Sequence, residues 1–122
     1  MNLTTDCRRG VAIVHVHEAR LTYPLLTEFA GAVTSLIGGG ERHLVLDLSA
    51  VTSVDSATIG CVMDLARQAG AVGGALKIAG VQTRVGTLLA MTGAARMIEI
   101  HVDESAAVRS FGGQVRPTRR QQ

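Results

Sequence analysis

Leu44-Val45-Leu46-Asp47-Leu48-Ser49-Ala50-Val51-Thr52-Ser53-Val54-Asp55-Ser56-Ala57-Thr58-Ile59-Gly60 is the stretch on which the fold turns. It opens as a compact apolar run, His43 to Leu48, interrupted only by Asp47. Such a run fits a central strand buried on both faces. A short connection, Ser49 to Val54, leads to Asp55-Ser56-Ala57-Thr58-Ile59-Gly60, which opens a helix. Ile59, Val62, Met63, Ala66 and Ala69 mark the buried side of that helix at helical spacing. Gly70 is expected just past its end, where a residue without a side chain best takes the left-handed conformation.

On the N-terminal side, Val11 to His17 reads as a strand whose second half alternates apolar and polar, and Glu18 to Thr22 as a short extended piece. Pro24 suits the first turn of a helix, where a missing N–H does no harm. Leu26, Phe29, Ala30, Val33 and Ile37 carry that helix, and Gly38-Gly39-Gly40 ends it. On the C-terminal side, Ala75 to Ala79 reads as a strand. Val81, Val85, Leu88 and Leu89 mark a third helix, stopped by Thr92-Gly93. Met97 to Val102 is expected to be a last strand. Asp103 then caps a final short helix carrying Ala107, Val108 and Phe111. Strands alternating with helices of this length predict an α/β sheet with right-handed crossovers.

The chain has 122 residues, enough for one core and one domain. Residues 1–112 are expected to form that domain. Residues 113–122 have Arg116, Arg119 and Arg120 with almost nothing apolar, and are expected to be a disordered tail. Three of the twelve basic residues lie in that tail, leaving nine against ten acids for the rest, a net of −1. The domain therefore lacks the basic footprint of a nucleic-acid binder. Aromatic residues make up 2% of the chain, which argues against a base-stacking platform or an aromatic-lined cofactor pocket. Cys7 and Cys61 do not space as a zinc site or a redox pair. The first residues contain no apolar stretch of signal-peptide type, and no run is long enough to span a membrane. The expected setting is the cytoplasm, with reduced thiols.

Few polar residues are candidates for chemistry. His15 and His17 are two apart on a strand and share a face, but no third ligand is near in sequence. They read as the polar side of an edge strand, and no metal site or cofactor is expected. His43 and His101, near strand ends, read as surface residues. Asp47 reads as a buried acid fixing a loop or as a group open at one end of the sheet. Cys61, one turn into a helix without a basic neighbour, reads as a packed thiol. Dinucleotide, P-loop and serine-hydrolase motifs are absent.

The segment Asp55 to Gly60 stands out because it lies just past the carboxyl end of a strand, where open α/β sheets place their sites. Asp55 or Ser56 caps the helix on one reading. On the other, Ser56 is a phosphoacceptor, since a helix N-terminus offers unpaired N–H groups and the positive end of the dipole to a phosphate. Local physics favours capping and leaves both open.

The ordered set of motifs resembles the STAS domain, the fold of bacterial anti-sigma factor antagonists, over roughly residues 8 to 111. Residues Leu44 to Gly60 carry most of the resemblance, since family members read there as an apolar strand, Asp-Leu-Ser, a short apolar stretch, then Asp-Ser-Ser-Gly-Leu-Gly. Ala69-Gly70 with Gly73-Gly74, Leu76-Lys77-Ile78-Ala79-Gly80-Val81, and Leu88-Leu89 followed by Thr92-Gly93 add to it. The resemblance implies a mixed sheet of four to five strands backed by about four helices. It also implies a non-enzymatic regulator that binds an anti-sigma factor with serine kinase activity, releases the sigma factor, and is switched off by phosphorylation of Ser56. Thr22, Asp55, Ser56, Ala57, Thr58 and Gly60 would form the partner-binding surface. Ala57 and Thr58 stand where the family usually has Ser-Gly, and Thr22 where it often has an acid. Thr58 is accordingly expected to present extra bulk to the partner. A phosphorylation-independent STAS subunit, serving as a scaffold in a signalling complex or a transport system, is the alternative.

Overall fold

The structure, a computed structural model, describes residues 1–112; the expected tail, residues 113–122, lies outside the described residues. A five-stranded mixed sheet has the order β1-β2-β4-β6-β7, built from β1 (Leu3–Arg8), β2 (Val11–Val16), β4 (His43–Asp47), β6 (Ala75–Ala79) and β7 (Ile100–His101). Only β1 runs antiparallel to its neighbour; β2, β4, β6 and β7 are parallel. A separate two-stranded parallel pair joins β3 (Arg20–Leu21) to β5 (Ser53–Val54). The helices are α1 (Leu26–Gly38), α2 (Ser56–Ala71), α3 (Thr83–Met91), α4 (Ala94–Met97) and α5 (Glu104–Arg109). This is the α/β architecture expected from the sequence, with one short helix more than expected.

Alternation along the strands assigns each face. Val14 and Val16 of β2, Leu44 and Leu46 of β4, and Leu76 and Ile78 of β6 point to one side. There they meet Phe29, Val33 and Ile37 of α1, Ile59, Val62, Leu65 and Ala69 of α2, and Val85 and Leu89 of α3. Val11, Ile13, Val45 and Ala79 point to the other side, against Ala107, Val108 and Phe111 of the α5 region. Strands buried on both faces need no polar alternation, which is why β4 reads as an unbroken apolar run. Lys77 lies on the α5 side, 4% exposed. Its ammonium sits 4.1 Å above the Phe111 ring, donates to Ser110 Oγ at 2.8 Å, and pairs with Glu99 at 3.1 Å. A buried cation is tolerated because every one of these partners offsets its lost hydration.

Four local expectations are corrected. The N-terminal segment is a strand: β1 pairs with β2 along its whole length, so β2 is the second strand and not an edge. A two-residue turn, Arg9-Gly10, joins them with both residues at positive φ, the geometry whose twist suits a hairpin. Gly70 lies inside α2, and Gly73, at φ +84°, takes the left-handed position instead. The last strand is only Ile100–His101, because Gly93 at φ +83° restarts the chain as α4. His43 is half-buried, its ring 4.8 Å from that of Phe111. Burial, and then the charge of Lys77, push its pKa below the usual histidine value.

Candidate functional site

The β3–β5 pair decides where the Asp55 loop sits. Ala19 O accepts from Thr52 N at 2.7 Å, Ser53 N at 3.1 Å and Thr52 Oγ1 at 2.9 Å. This ties the segment before β3 to the segment before β5, and the register Leu21↔Val54 then brings Thr22 and Tyr23 beside Asp55. A 3-10 turn, Tyr23–Leu25, follows with Pro24 in its first positions and runs into α1. Two segments more than thirty residues apart in sequence thus share one surface at the carboxyl end of the sheet.

Asp55 is the N-cap of α2, in extended conformation at φ −112° and ψ 176°. Its Oδ1 accepts from Thr58 N at 2.9 Å, and its Oδ2 from Tyr23 N at 2.9 Å. One carboxylate therefore satisfies an orphan donor of α2 and also clasps the 3-10 turn to the helix. Its pKa lies below the ordinary carboxylate value, through the Thr58 hydroxyl first and then the Tyr23 and Thr58 N–H groups. The carboxylate is held as an anion whose acceptor sites are already engaged.

Thr58 corrects an expectation. It is 1% exposed, so it presents no bulk to a partner. Its hydroxyl lies 2.7 Å from Leu21 O and 2.7 Å from Asp55 Oδ1. A threonine hydroxyl has one proton, which these two acceptors share. The methyl and hydroxyl that replace the family's usual glycine are turned inward, and they knit β3 to the start of α2.

Ser56, Ala57 and Gly60, by contrast, are all exposed. They are the first, second and fifth residues of α2, so Ser56 and Ala57 each stand one turn from Gly60 on one helical surface. A Cβ at Gly60 would meet nothing within 4 Å. The Ser56 hydroxyl makes no hydrogen bond among the described residues, nor do the Ser56 and Ala57 N–H groups. Thr22 is half-buried, and its carbonyl accepts from Leu25 N at 2.9 Å. Tyr23 was not anticipated as part of this surface. It is 73% exposed, and its backbone is fixed by Asp55. Its being the only tyrosine of an aromatic-poor chain, next to Thr22, was the available signal.

The remaining candidates fall elsewhere. Cys61 is partly buried, and burial first and Asp64 second push its pKa up, as suits a packed thiol. His15 and His17 stack with ring centroids 6.1 Å apart. His17 bonds Thr4 Oγ1, whereas His15 turns toward Asp47 and Glu104. Asp47 Oδ1 accepts from Ser49 N at 3.0 Å, the loop-fixing one of its two readings.

The chain matches the STAS domain family over residues 2–107. It belongs to that family. An anti-sigma factor antagonist from Mycobacterium paratuberculosis superposes with a TM-score of 0.81 at 16% identity, over 89% of this chain and 92% of that one. The phosphorylated form of the Bacillus cell fate determinant SpoIIAA superposes with a TM-score of 0.69 at 14% identity, over 89% and 99%. The murine solute carrier 26 family member A9 anion transporter gives 0.74 at 21% identity, over 85% of this chain but 18% of the transporter. The shared feature is the STAS fold. Among the described residues of this chain, no helix is long and apolar enough to cross a membrane.

Proposed function

We propose that this STAS domain is an anti-sigma factor antagonist. In this reading it binds an anti-sigma factor with serine kinase activity, frees the sigma factor, and is released when Ser56 is phosphorylated. The observation that carries the proposal is the Ser56 hydroxyl, exposed at the first position of α2 and, among the described residues, unbonded beside two free N–H groups. A phosphate there meets the positive end of the helix and leaves the fold intact. It also adds nearly two negative charges next to the Asp55 carboxylate, and a partner would have to desolvate them. Ser56, Ala57, Gly60 and Tyr23 form the exposed part of the docking surface, with Thr22 at its margin. Asp55 and Thr58 position it from behind.

The domain acts in this account as a binding module, not a catalyst. Asp55 spends its oxygens on Tyr23 and Thr58, and no histidine is hydrogen-bonded to Ser56 among the described residues. The phosphorylated SpoIIAA neighbour supports the switch, and the antagonist neighbours support the partner class.

The test is phosphosite mapping after incubation with ATP and a serine kinase of the anti-sigma class, beside calorimetric binding of the wild type, Ser56→Ala and Ser56→Asp. Phosphate should appear on Ser56 alone, Ser56→Ala should bind without being modified, and Ser56→Asp should bind at least tenfold more weakly. Phosphate only on Thr58, or full-strength binding by Ser56→Asp, would replace the switch with a phosphorylation-independent scaffold.

A further inference from the structure

On the opposite side of the sheet from α2, three elements bring potential ligand groups together. His15 comes from β2, Asp47 from the end of β4, and Glu104 from the first turn of α5; one ligand atom from each lies within 4.8 Å of the other two. All three side chains are mostly buried, at 25%, 15% and 22% exposure. Each carboxylate has one oxygen fixed from behind and one left over. Asp47 Oδ1 is held by Ser49 N–H, and its Oδ2 stands 3.4 Å from His15 Nδ1. Glu104 Oε1 is held by Arg8 at 2.7 Å, and its Oε2 stands 3.5 Å from His15 Nε2. Gly80, at φ +73°, keeps the space beside Asp47 open, since a Cβ there would lie 3.5 Å from Asp47 Oδ1 and 3.2 Å from Ser49 Cβ.

Two carboxylates from different elements thus lie against one imidazole, and the three side chains converge with one ligand atom each. A divalent cation held by one ring nitrogen and the free carboxylate oxygens would neutralise both acids. We propose that His15, Asp47 and Glu104 form a binding site for one divalent transition-metal ion of the zinc class.

Ligand type narrows the choice. Calcium and magnesium call for more oxygen donors and fewer nitrogens. One imidazole with two carboxylates suits zinc or manganese, with water completing the shell. Tetrahedral zinc sets its ligand atoms about 3.4 Å apart, so binding would draw the trio inward from their present spacing. Ser49 and Arg8 stand behind the carboxylates, where outer partners orient ligands. Because Glu104 begins α5 while His15 and Asp47 lie in the last two residues of their strands, the ion would pin α5 to the sheet. The site is independent of the Ser56 switch.

Zinc titrated calorimetrically into the full chain should bind at one site per chain and raise the melting temperature. Asp47→Asn keeps the side-chain size and the Ser49 bond, and His15→Ala removes the nitrogen. Each should weaken binding about tenfold or more. Cys7→Ser should leave binding unchanged, because the exposed Cys7 thiol is the competing soft ligand on the neighbouring strand. Cobalt substituted for zinc should show ligand-field bands without thiolate charge transfer. Circular dichroism of each metal-free variant establishes that it folds, and Asp47→Asn carries the comparison if His15→Ala does not. Absence of binding by the wild type, unchanged affinity in Asp47→Asn, or loss of binding in Cys7→Ser would overturn the site.

Discussion

One face of the sheet is covered by α1, α2, α3 and α4, and the other by α5 alone. Twenty buried residues form the core of the first face and seven that of the second. On the thick face a lost side chain leaves a cavity that four helices cannot all move to fill. On the thin face a six-residue helix can lift away as a unit, so the cost of damage is limited to the cost of undocking it. Size of the deleted side chain and size of the effect should therefore come apart.

The largest expected effect tests that inequality. Leu46 is fully buried in β4 on the thick face, and Leu46→Ala should destabilise the domain by about 2–5 kcal/mol. Phe111 is also fully buried and is the larger side chain. Phe111→Ala should nevertheless cost less in urea unfolding, while amide exchange in residues 104–109 accelerates far more than in α2. If Phe111→Ala is the more damaging change and exchange rises evenly, α5 is part of the global folding unit and the contrast between the faces fails.

The thick face also carries the clasp behind Ser56, and a subtler change probes it. Thr58→Val keeps the shape but replaces a buried hydroxyl lying 2.7 Å from both Leu21 O and Asp55 Oδ1. The expected loss is about 1–3 kcal/mol, because two acceptors lose a donor and the carboxylate faces a methyl group. Thr58→Ser, which retains the hydroxyl, should recover most of it. Equal losses for the two variants would mean that the methyl contacts and not the hydroxyl hold β3 to α2.

How much of this could be read from the sequence follows from the same physics. The order of the main strands and helices from Val11 to Phe111 was legible, apart from β5 and α4, because buried parallel strands and amphipathic helices leave apolar patterns of different period. β1 was not, because five of its six residues are exposed and it owes its pairing to the Arg9-Gly10 turn and to β2. The loop at Ser56 was legible as a motif at a strand end. The inward turn of Thr58 was not, since it depends on Leu21 O, thirty-seven residues away. The company of His15 was hidden for the same reason: Asp47 and Glu104 are brought to it by sheet register and by the docking of α5, and neither leaves a local spacing to read.

The smallest expected effect contrasts the aspartates on the two faces as pH falls. Both carboxyls have lowered pKa values. For Asp47, burial pushes upward, but the Ser49 hydrogen bonds, the charge of His15 and a hydrogen bond with the Glu104 carboxyl outweigh it. For Asp55, the Thr58 hydroxyl and the Tyr23 and Thr58 N–H groups act together. A carboxyl whose folded pKa is lower than its unfolded pKa binds fewer protons in the folded state. Its contribution is complete above the unfolded value, near 3.8, and is lost as pH falls through the folded value. Asp55→Asn should remove that dependence. The amide can still accept from Thr58 N–H, but it turns its NH2 toward the Tyr23 N–H, donor against donor. The variant should therefore be less stable than wild type at neutral pH, and the gap should narrow as pH falls below the unfolded carboxyl value, near 3.8. Acid losses from Asp47 and Glu99, whose carboxyl is also lowered by His101 and Lys77, occur in both proteins and cancel in the difference. Urea titrations of the two proteins at matched pH read that difference directly. A gap that stays constant into acid would mean that the Asp55 charge adds nothing beyond the shape of the cap, and the clasp on Tyr23 would then rest on the β3–β5 pairing alone.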